Sequence, residues 1–235
     1  MKLFVGASGY SYPKWKGSFY PAKLSPKEML SYYSRHFAAV EINNTFYKMP
    51  TESDLTSWAA QVPRNFRFAL KAPQTITHRK RLKDAAEPTN HLFQIAAALK
   101  NRLGPVLFGL PPNFKKDLSR LQTFLKLIPR KTKVAFEFRH PSWFGEEVFD
   151  CLRQRRAALC IAHTDDFPSP QFVATANWGY VRLRREKYST KDLAKWVATI
   201  QSQSWKECHI FFKHEDTGTG PKFATQFLAS AAADR

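Results

Sequence analysis

The chain has 235 residues, 43% of them hydrophobic, and these numbers favour one large core and argue against two small domains. Lysine and arginine number 37 against 19 aspartate and glutamate, so the formal net charge is +18. Such a surface favours polyanions or phosphorylated ligands, although a merely solvated basic surface would give the same count.

The cysteines and the apolar runs bear on the cellular compartment. Cys151, Cys160 and Cys208 are odd in number and lack metal-ligand spacing, and the last two lie in apolar strand-like runs, as reduced buried thiols do. Residues 1–9 lack the apolar stretch of a signal peptide, and no apolar run approaches membrane-spanning length. We therefore expect a cytoplasmic protein that does not contact membranes.

Eight short runs rich in Val, Ile, Leu or Phe follow one another along the chain, and each is typical of a β-strand. They cover residues 3–7, 39–42, 66–70, 106–110, 133–138, 158–162, 179–183 and 209–213. Helical patterns lie between them. Ser25 and Glu28 form a capping box with proline at the first helical position, and a similar signal begins at Thr51.

The alternation of strand and helix predicts the fold. Strand followed by helix, eight times, indicates an α/β protein with a single TIM-type (β/α)8 barrel of parallel strands, which we assign to residues 1–235 as one domain. A doubly wound open sheet is the competing architecture, but no Gly-x-Gly-x-x-Gly follows the first strand.

Charged or amide residues close most of these runs, and strand parity predicts where they point. The helix-facing side of a barrel strand is bulky and apolar, so the alternate residues face inward. At the carboxyl ends of the strands, where barrel enzymes place their chemistry, the inward set is Ser8, Glu41, Asn43, Lys71, Glu137, Arg139, Arg182, Arg184 and Lys213. Two carboxylates thus face five cations in this set, which predicts a mouth that attracts an anion.

A structural ion-pair network is the alternative interpretation of the same residues. In it, Glu41 and Glu137 would be neutralised by Arg or Lys across the barrel, and loss of one partner would cost about 3–5 kcal/mol whether or not a ligand binds. The two interpretations are compatible.

Long motifs run through nearly the whole chain. They are residues 6–10, Trp15, Gly17, 19–21, 40–47, 103–105, 110–112, 137–140, 142–143, and Tyr180 with Arg182. In these motifs the sequence resembles the YecE-like family, a domain of unknown function. The resemblance implies a TIM-type barrel, supplies no established reaction, and adds Tyr10, Trp15, Tyr47, His140 and Trp143 to the binding candidates.

The sequence departs from the pattern of that family at the ends of two strands. Gly109 stands where many members carry glutamine, and Lys213 with His214 follows Phe212 where many carry two asparagines. The corresponding part of the pocket is therefore more charged here.

Three loops at the carboxyl ends of strands could add to an anion site. After the last strand, Thr217, Gly218, Thr219 and Gly220 precede a proline-started helix running to about residue 232; their free N–H groups suit a phosphate, although the acids at 215 and 216 would repel one. The aromatic and lysine side chains of residues 10–20 would stack on a base or sugar, or fold over the barrel as a lid. The basic tip at residues 78–83 would extend an anionic footprint, or be merely solvated.

Metal chemistry has weak support. His140, His163, Asp165, His214 and Glu215 lie near strand ends, which invites comparison with barrel phosphodiesterases of the endonuclease IV type. However, they form no compact ligand set, and parity directs His163 and His214 toward the helices. We expect no metal and no cofactor.

Three residues are candidates for catalysis. Glu41 and Glu137 could form the carboxylate pair of a glycoside hydrolase, but the inward cations would keep both ionised, which suits a general base better than an acid. Lys71 could form a Schiff base if Arg139 or Arg182 lowered its pKa, an effect that a nearby glutamate would oppose.

The leading hypothesis is a barrel whose cationic mouth binds a phosphorylated small molecule or a nucleic acid. The mouth also has the groups that acid–base hydrolysis of this ligand would need. A non-catalytic nucleic-acid-binding protein and a carbohydrate-active enzyme that uses Glu41 and Glu137 are the alternatives. The sequence carries no signal for an oligomeric state, and it leaves open whether the protein is an enzyme.

Overall fold

The structure, a computed structural model, describes residues 1–165, 172–213 and 218–233. All eight strands expected from the sequence are present and all pair in parallel, in the order β1-β8-β7-β6-β5-β4-β3-β2. They are β1 Lys2–Ala7, β2 Ala39–Ile42, β3 Arg67–Lys71, β4 Leu103–Gly109, β5 Val134–Glu137, β6 Ala158–His163, β7 Trp178–Leu183 and β8 Glu207–Phe212. This nearly closed sheet confirms the TIM-type barrel and excludes the open doubly wound sheet.

Helices connect the strands on the outside of the barrel. The α-helices are α1 Met29–His36, α2 Glu52–Ala60, α3 Ala86–Ala96, α4 Leu118–Leu127, α5 Glu146–Arg155, α6 Thr190–Gln201 and α7 Thr219–Ala233. The capping boxes expected at Ser25 and Thr51 are both formed, each with the acidic side chain three residues later. Between β6 and β7 the described residues contain no helix; residues 166–171 of that segment lie outside the description.

Alternation of side chains along the strands separates two packing layers. Phe4, Ala39, Ala69, Leu107 and Ala135 fill the barrel together with residues of β6, β7 and β8, whereas the residues between them pack against the helices. The inward parity predicted from the sequence is therefore confirmed. Above this apolar layer, the next inward positions carry the charged side chains.

The barrel is closed between β1 and β2 by a tyrosine rather than by a regular ladder. The Ala7 N–H donates to the Tyr33 hydroxyl at 2.6 Å, and this hydroxyl donates to the Ala39 carbonyl at 3.0 Å. Beyond it, the Gly9 N–H donates to the Glu41 carbonyl at 2.8 Å. Tyr33 thus inserts between the two strands, and the backbone of Gly6 lies so close that a Cβ there would be 1.8 Å from the Ala39 oxygen.

Tyr33→Phe is expected to lower the free energy of unfolding by about 1–3 kcal/mol, because the buried Ala7 N–H and Ala39 carbonyl each lose a partner. Urea denaturation measures the change. Tyr32→Phe is the matched control, since the Tyr32 hydroxyl makes no hydrogen bond among the described residues and its loss is expected to change stability by no more than about 0.5 kcal/mol. Equal effects of the two substitutions would contradict the bridging role.

Candidate functional site

One buried arginine joins two buried carboxylates across the top of the barrel. Glu41 lies on β2, Glu137 ends β5 and Arg182 lies on β7, and each is no more than 2% exposed. The Arg182 Nη2 donates to Glu41 Oε1 at 2.9 Å, and its Nη1 donates to Glu137 Oε2. The expected inward ring of charge therefore has Arg182 at its centre.

Glu41 is held as a carboxylate by neighbours on β7 and at the end of β1. Ser8 Oγ donates to its Oε1 at 2.6 Å, and the Tyr180 hydroxyl donates to its Oε2 at 2.7 Å. Burial raises the pKa of Glu41, but the Arg182 charge and the hydrogen bonds from Ser8 and Tyr180 outweigh it, so the pKa lies below its ordinary value. Both oxygens of this carboxylate are engaged.

Glu137 accepts from three guanidinium groups. Besides Arg182 on Oε2, Arg139 Nε reaches Oε1 at 3.1 Å and Arg184 Nη1 reaches the same oxygen at 3.5 Å. Burial raises the pKa of Glu137, and the charges of the three arginines lower it far below its ordinary range. The side chains of Arg139 and Arg184 remain 27% and 22% exposed, so they form the solvent side of the cluster.

Lys71, at the end of β3, stands apart from this network. Its Nζ lies 4.0 Å from the centre of the Phe46 ring, and it makes no hydrogen bond or ion pair with any residue that the structure describes. Burial, followed by the positive charge of Arg182, lowers the pKa of Lys71 to about 8 despite the opposing charges of Glu137 and Glu41. Burial is the larger cause, and the charges of Arg182 and Arg139 add to it, as the Schiff-base hypothesis for Lys71 requires.

The backbone of Gly109 adjoins the Lys71 side chain. A Cβ built on Gly109, at the end of β4, would meet only Glu137 Oε2 at 3.8 Å and Lys71 Cε at 4.0 Å. The absence of a side chain at 109 thus leaves a gap of about the size of one methyl group between the Lys71 Cε and the Glu137 carboxylate.

Phe46, His78 and Tyr180 belong to the site but were not identified from the sequence. His78 meets the edge of the Phe46 ring, with ring centres 4.8 Å apart, and its Nδ1 lies 2.9 Å from Thr77 Oγ1. It lies in a π-helical turn, Thr75–Arg79, a type of distortion common at functional sites. Tyr180 could have been found, because it shares the inward parity of Arg182 two residues later.

A cleft of about 630 Å³ lies beside the mouth, next to the ends of β1 and β2. Tyr10, Asn43 and Tyr47 line it, and Tyr47 is 74% exposed. Tyr10 packs edge-on against Trp58, and the Asn43 Oδ1 is buried without a hydrogen-bond partner among the described residues. The structure therefore places three expected binding residues in an open cleft rather than in the charged cluster.

Other expected binding residues have structural roles in the packing outside the barrel. Trp15 is fully buried against Tyr12 and Tyr20, and Trp143 stacks on Phe138 while its Nε1 donates to the Phe114 carbonyl at 2.7 Å. The side chain of His140 accepts from the Ser142 N–H and caps the short helix Pro141–Trp143. Both tryptophan rings are fully buried and pack in the core, so a ligand role for them stays a prediction.

The last predicted loop is only partly described. Thr217 and His214 lie outside the described residues. Thr219 and Gly220 are the first residues of α7, and Gly218 precedes them. Gly218, with φ of +69°, approaches Ser18 of the first loop so closely that a Cβ would lie 2.4 Å from the Ser18 Oγ. Lys213 is half-buried directly after β8. A phosphate on this loop stays a prediction.

The metal candidates are dispersed. His163 contacts the Tyr188 hydroxyl at 3.1 Å and the Trp196 ring on the outside of the barrel, and Asp165 accepts from Arg185 at 2.6 Å. Within residues 1–165, 172–213 and 218–233, no group of three or more His, Cys, Asp or Glu side chains is placed to share a metal. In the same part of the chain, no helix combines the length and the apolar character needed to cross a membrane.

Solved structures of similar shape are known. A DUF72 family protein of Thermotoga maritima superposes with a TM-score of 0.82 over the whole of both chains at 25% sequence identity. A DUF72 family protein of Enterococcus faecalis gives a TM-score of 0.83 at 19% identity, with 98% of this chain and 95% of that chain covered. The second likeness shows the fold alone.

Sequence relatives lead to the same family. The chain is 32% identical over 148 residues to the UPF0759 protein YecE of Escherichia coli, covering 62% of this chain and about half (52%) of the relative's length. It is 29% identical over 227 residues to the UPF0759 protein YunF of Bacillus subtilis, with 90% and 78% covered. The family described as "Protein of unknown function DUF72" matches residues 4–235. The chain therefore belongs to the DUF72 family, the YecE-like proteins that its motifs resemble.

Proposed function

We propose that the barrel mouth binds a small phosphorylated ligand, with Arg139, Arg184 and Lys71 contacting the anion. The observation that carries this proposal is Arg184, whose Nε is buried without a hydrogen-bond partner among the described residues while its Nη1 is 3.5 Å from Glu137. A guanidinium group has five N–H donors, and most of those on Arg184 make no hydrogen bond to a described residue. A phosphate oxygen is the acceptor that suits such a group.

The charge balance of the cluster supports the same ligand. Glu41 and Glu137 face Arg139, Arg182, Arg184 and Lys71, so four cationic groups surround two carboxylates. Burial and the charge of Arg182 lower the pKa of both Lys71 and Arg184 by more than the two glutamates raise it. A bound anion would relieve this mutual repulsion, whereas a neutral ligand would not.

Lys71 is a better acid–base group than either glutamate. Both carboxylates have lowered pKa values and accept hydrogen bonds on both oxygens, so they are weak bases at neutral pH. Their role in this proposal is to position Arg182. A glycosidase mechanism also needs one protonated carboxyl group, and these neighbours disfavour protonation of either. In a hydrolytic reaction, Lys71 would be the group that takes the proton from water.

Nucleic-acid binding is the second candidate, favoured by the net charge of +18. Arg79, Lys80 and Lys83 are exposed on the loop that follows β3, the strand that ends with Lys71. A strand of nucleic acid lying on this loop could place one phosphate at the mouth. The free, buried state of Cys151, Cys160 and Cys208 supports the reducing cytoplasm as the place of action.

Inorganic phosphate is expected to bind to the protein, and Arg184→Gln is expected to weaken that binding by about 10- to 100-fold, because a hydrogen bond to a charged group contributes roughly 1.5–3 kcal/mol. Isothermal titration calorimetry measures both affinities. Arg185→Gln is the matched control: Arg185 pairs with the exposed Asp165, so this substitution is expected to leave the phosphate affinity unchanged.

A single-stranded oligonucleotide titrated at several salt concentrations separates the two candidates. The nucleic-acid interface is favoured over the phosphate site if the oligonucleotide affinity falls steeply with salt while inorganic phosphate does not bind. In that case Arg184→Gln is also expected to leave the oligonucleotide affinity unchanged. Binding of neither probe at low salt would remove both candidates.

A further inference from the structure

The surroundings of Lys71 differ from those of a lysine that serves only as a positive charge. Its amine lies over the Phe46 ring at 4.0 Å, and neither Glu41 nor Glu137 makes an ion pair with it. The arginines occupy the carboxylates instead. A partly desolvated amine beside other cations is the arrangement in which a lysine acts as a nucleophile.

The charged groups around Lys71 come from four elements. Arg182 lies on β7, Glu137 and Arg139 lie at the end of β5, Glu41 lies on β2, and His78 lies in the loop after β3. Burial and the two arginines lower the pKa of Lys71 and the two glutamates raise it, and the result is about 8. Near neutral pH, the unprotonated fraction is thus on the order of a hundredfold larger than for an ordinary lysine.

The gap above Gly109 gives this amine room for a reacting group. A Cβ at position 109 would sit 4.0 Å from Lys71 Cε and 3.8 Å from Glu137 Oε2 without meeting any other atom that close. A small carbonyl group placed there would lie beside the lysine side chain. Arg139 and Arg184, bound to the other oxygen of Glu137, would hold an anionic group attached to it.

We propose that Lys71 forms an imine with the carbonyl carbon of a small aldehyde or ketone that carries a phosphate, the phosphate being held by Arg139 and Arg184. The inference rests on the proposed anion site and deepens it by naming the reacting group of the ligand. It replaces hydrolysis as the first reaction to test at this mouth.

The reaction is balanced without an oxidant or a reductant. The nitrogen lone pair of Lys71 attacks the carbonyl carbon, the C=O π electrons move to oxygen, and the proton lost by nitrogen is taken up by that oxygen to give a carbinolamine. The hydroxyl then leaves with a second proton as water while the C=N bond forms. The sum is amine plus carbonyl compound giving imine plus water.

Borohydride trapping with a matched pair of aldehydes tests the inference. The full chain is incubated with glycolaldehyde phosphate or with uncharged glycolaldehyde, reduced with cyanoborohydride, and digested; mass spectrometry then locates lysines that gained the mass of the probe less one oxygen atom. We expect glycolaldehyde phosphate to modify Lys71 first, inorganic phosphate to slow this modification, and glycolaldehyde to show no such preference.

Three variants sharpen the experiment. Gly109→Ala adds a methyl group with ordinary contacts to Lys71 and Glu137, so it is expected to fold and to slow modification of Lys71 about tenfold by occupying the gap. Arg184→Gln is expected to remove the preference for the phosphorylated aldehyde. Lys195→Met, on the exposed face of α6, is the control and is expected to leave the modification of Lys71 unchanged.

The outcomes separate the two proposals. If calorimetry shows phosphate binding but the modification is spread over exposed lysines without preference for Lys71, the imine proposal is overturned and the anion site is retained. Selective modification of Lys71 by both aldehydes alike, with no protection by phosphate, would overturn the anion site and leave a nucleophilic lysine. Unchanged modification in Gly109→Ala would overturn the assignment of the gap as the place of the carbonyl group.

Discussion

Arg182→Met is expected to lower the free energy of unfolding by about 3–5 kcal/mol at pH 7, because it leaves Glu41 and Glu137 as buried carboxylates without their shared counter-charge. Urea denaturation followed by circular dichroism measures the loss. Arg185→Met, which removes an exposed ion pair with Asp165, is expected to cost no more than about 1 kcal/mol.

The pH dependence identifies the cause of this destabilisation. Glu41 and Glu137 have lowered pKa values in the folded protein, so their ion pairs stabilise it above the unfolded pKa of about 4.3 and stop doing so as the pH falls. The difference between wild type and Arg182→Met is therefore largest near neutral pH and shrinks below about pH 4. Adding Glu41→Gln and Glu137→Gln to the variant is expected to recover part of the loss. A difference that is independent of pH would indicate lost packing instead of unpaired charge.

Gly6→Ala is the second substitution with a large expected effect. The new Cβ would lie 1.8 Å from the Ala39 carbonyl oxygen and 2.6 Å from the Tyr33 hydroxyl, so β1 and β2 must separate. We expect the free energy of unfolding to fall by about 3 kcal/mol or more, which is the upper end for overpacking. The reason is that the obstructing atoms belong to the backbone and to the buried Tyr33, whose hydroxyl links β1 to β2.

Gly109→Ala is the matched control for Gly6→Ala, since both add one methyl group to a barrel strand. At Gly109 the added atom meets its neighbours at 3.8 and 4.0 Å, so stability is expected to change by less than about 1 kcal/mol. Thermal unfolding of the two variants provides the comparison. Similar melting temperatures would show that the strands at the β1–β2 junction can move apart easily.

The strand pattern could be predicted from the sequence because each strand combines an apolar run with alternating parity. The boundaries could not all be predicted. β4 begins at Leu103, three residues before the expected start at residue 106, although Pro105 cannot donate to the sheet. The structure accommodates this proline at an irregularity in the register between β3 and β4, where Phe68 pairs with Leu103 and Leu70 with Val106. Pro105 is a local signal of such an irregularity, but it does not indicate at which residue the strand begins.

The charged residues of the site were predictable, but their pairing was not. Parity places Glu41, Glu137 and Arg182 inside the barrel, yet it does not tell which arginine bridges the carboxylates and which remain at the solvent side. Both the site and the ion-pair interpretation describe part of the cluster: Arg182 bonds to both carboxylates through its two Nη atoms, whereas Arg184 makes one longer contact of 3.5 Å to Glu137. The direction in which the pKa of Lys71 shifts could not be predicted for the same reason, since it depends on charges from three other strands.

Aromatic residues were the least predictable candidates, because an aromatic ring suits a ligand and a core equally well. Trp15 and Trp143 are buried, whereas Tyr47, which ends the family motif at residues 40–47, is largely exposed. Burial of a loop residue depends on the elements packed above it. The sequence around each ring does not contain that information.

The ion pair between Glu41 and Arg182 joins residues 141 positions apart, and this separation has a consequence during synthesis. A ribosome that adds roughly 5–20 residues per second makes Glu41 about 7–28 s before Arg182. During that time the nascent chain has a carboxylate without its counter-ion and a β1 strand without its β8 neighbour. A chain that is cut or stalled in this interval presents an open strand edge to chaperones and proteases, whereas the completed barrel conceals it.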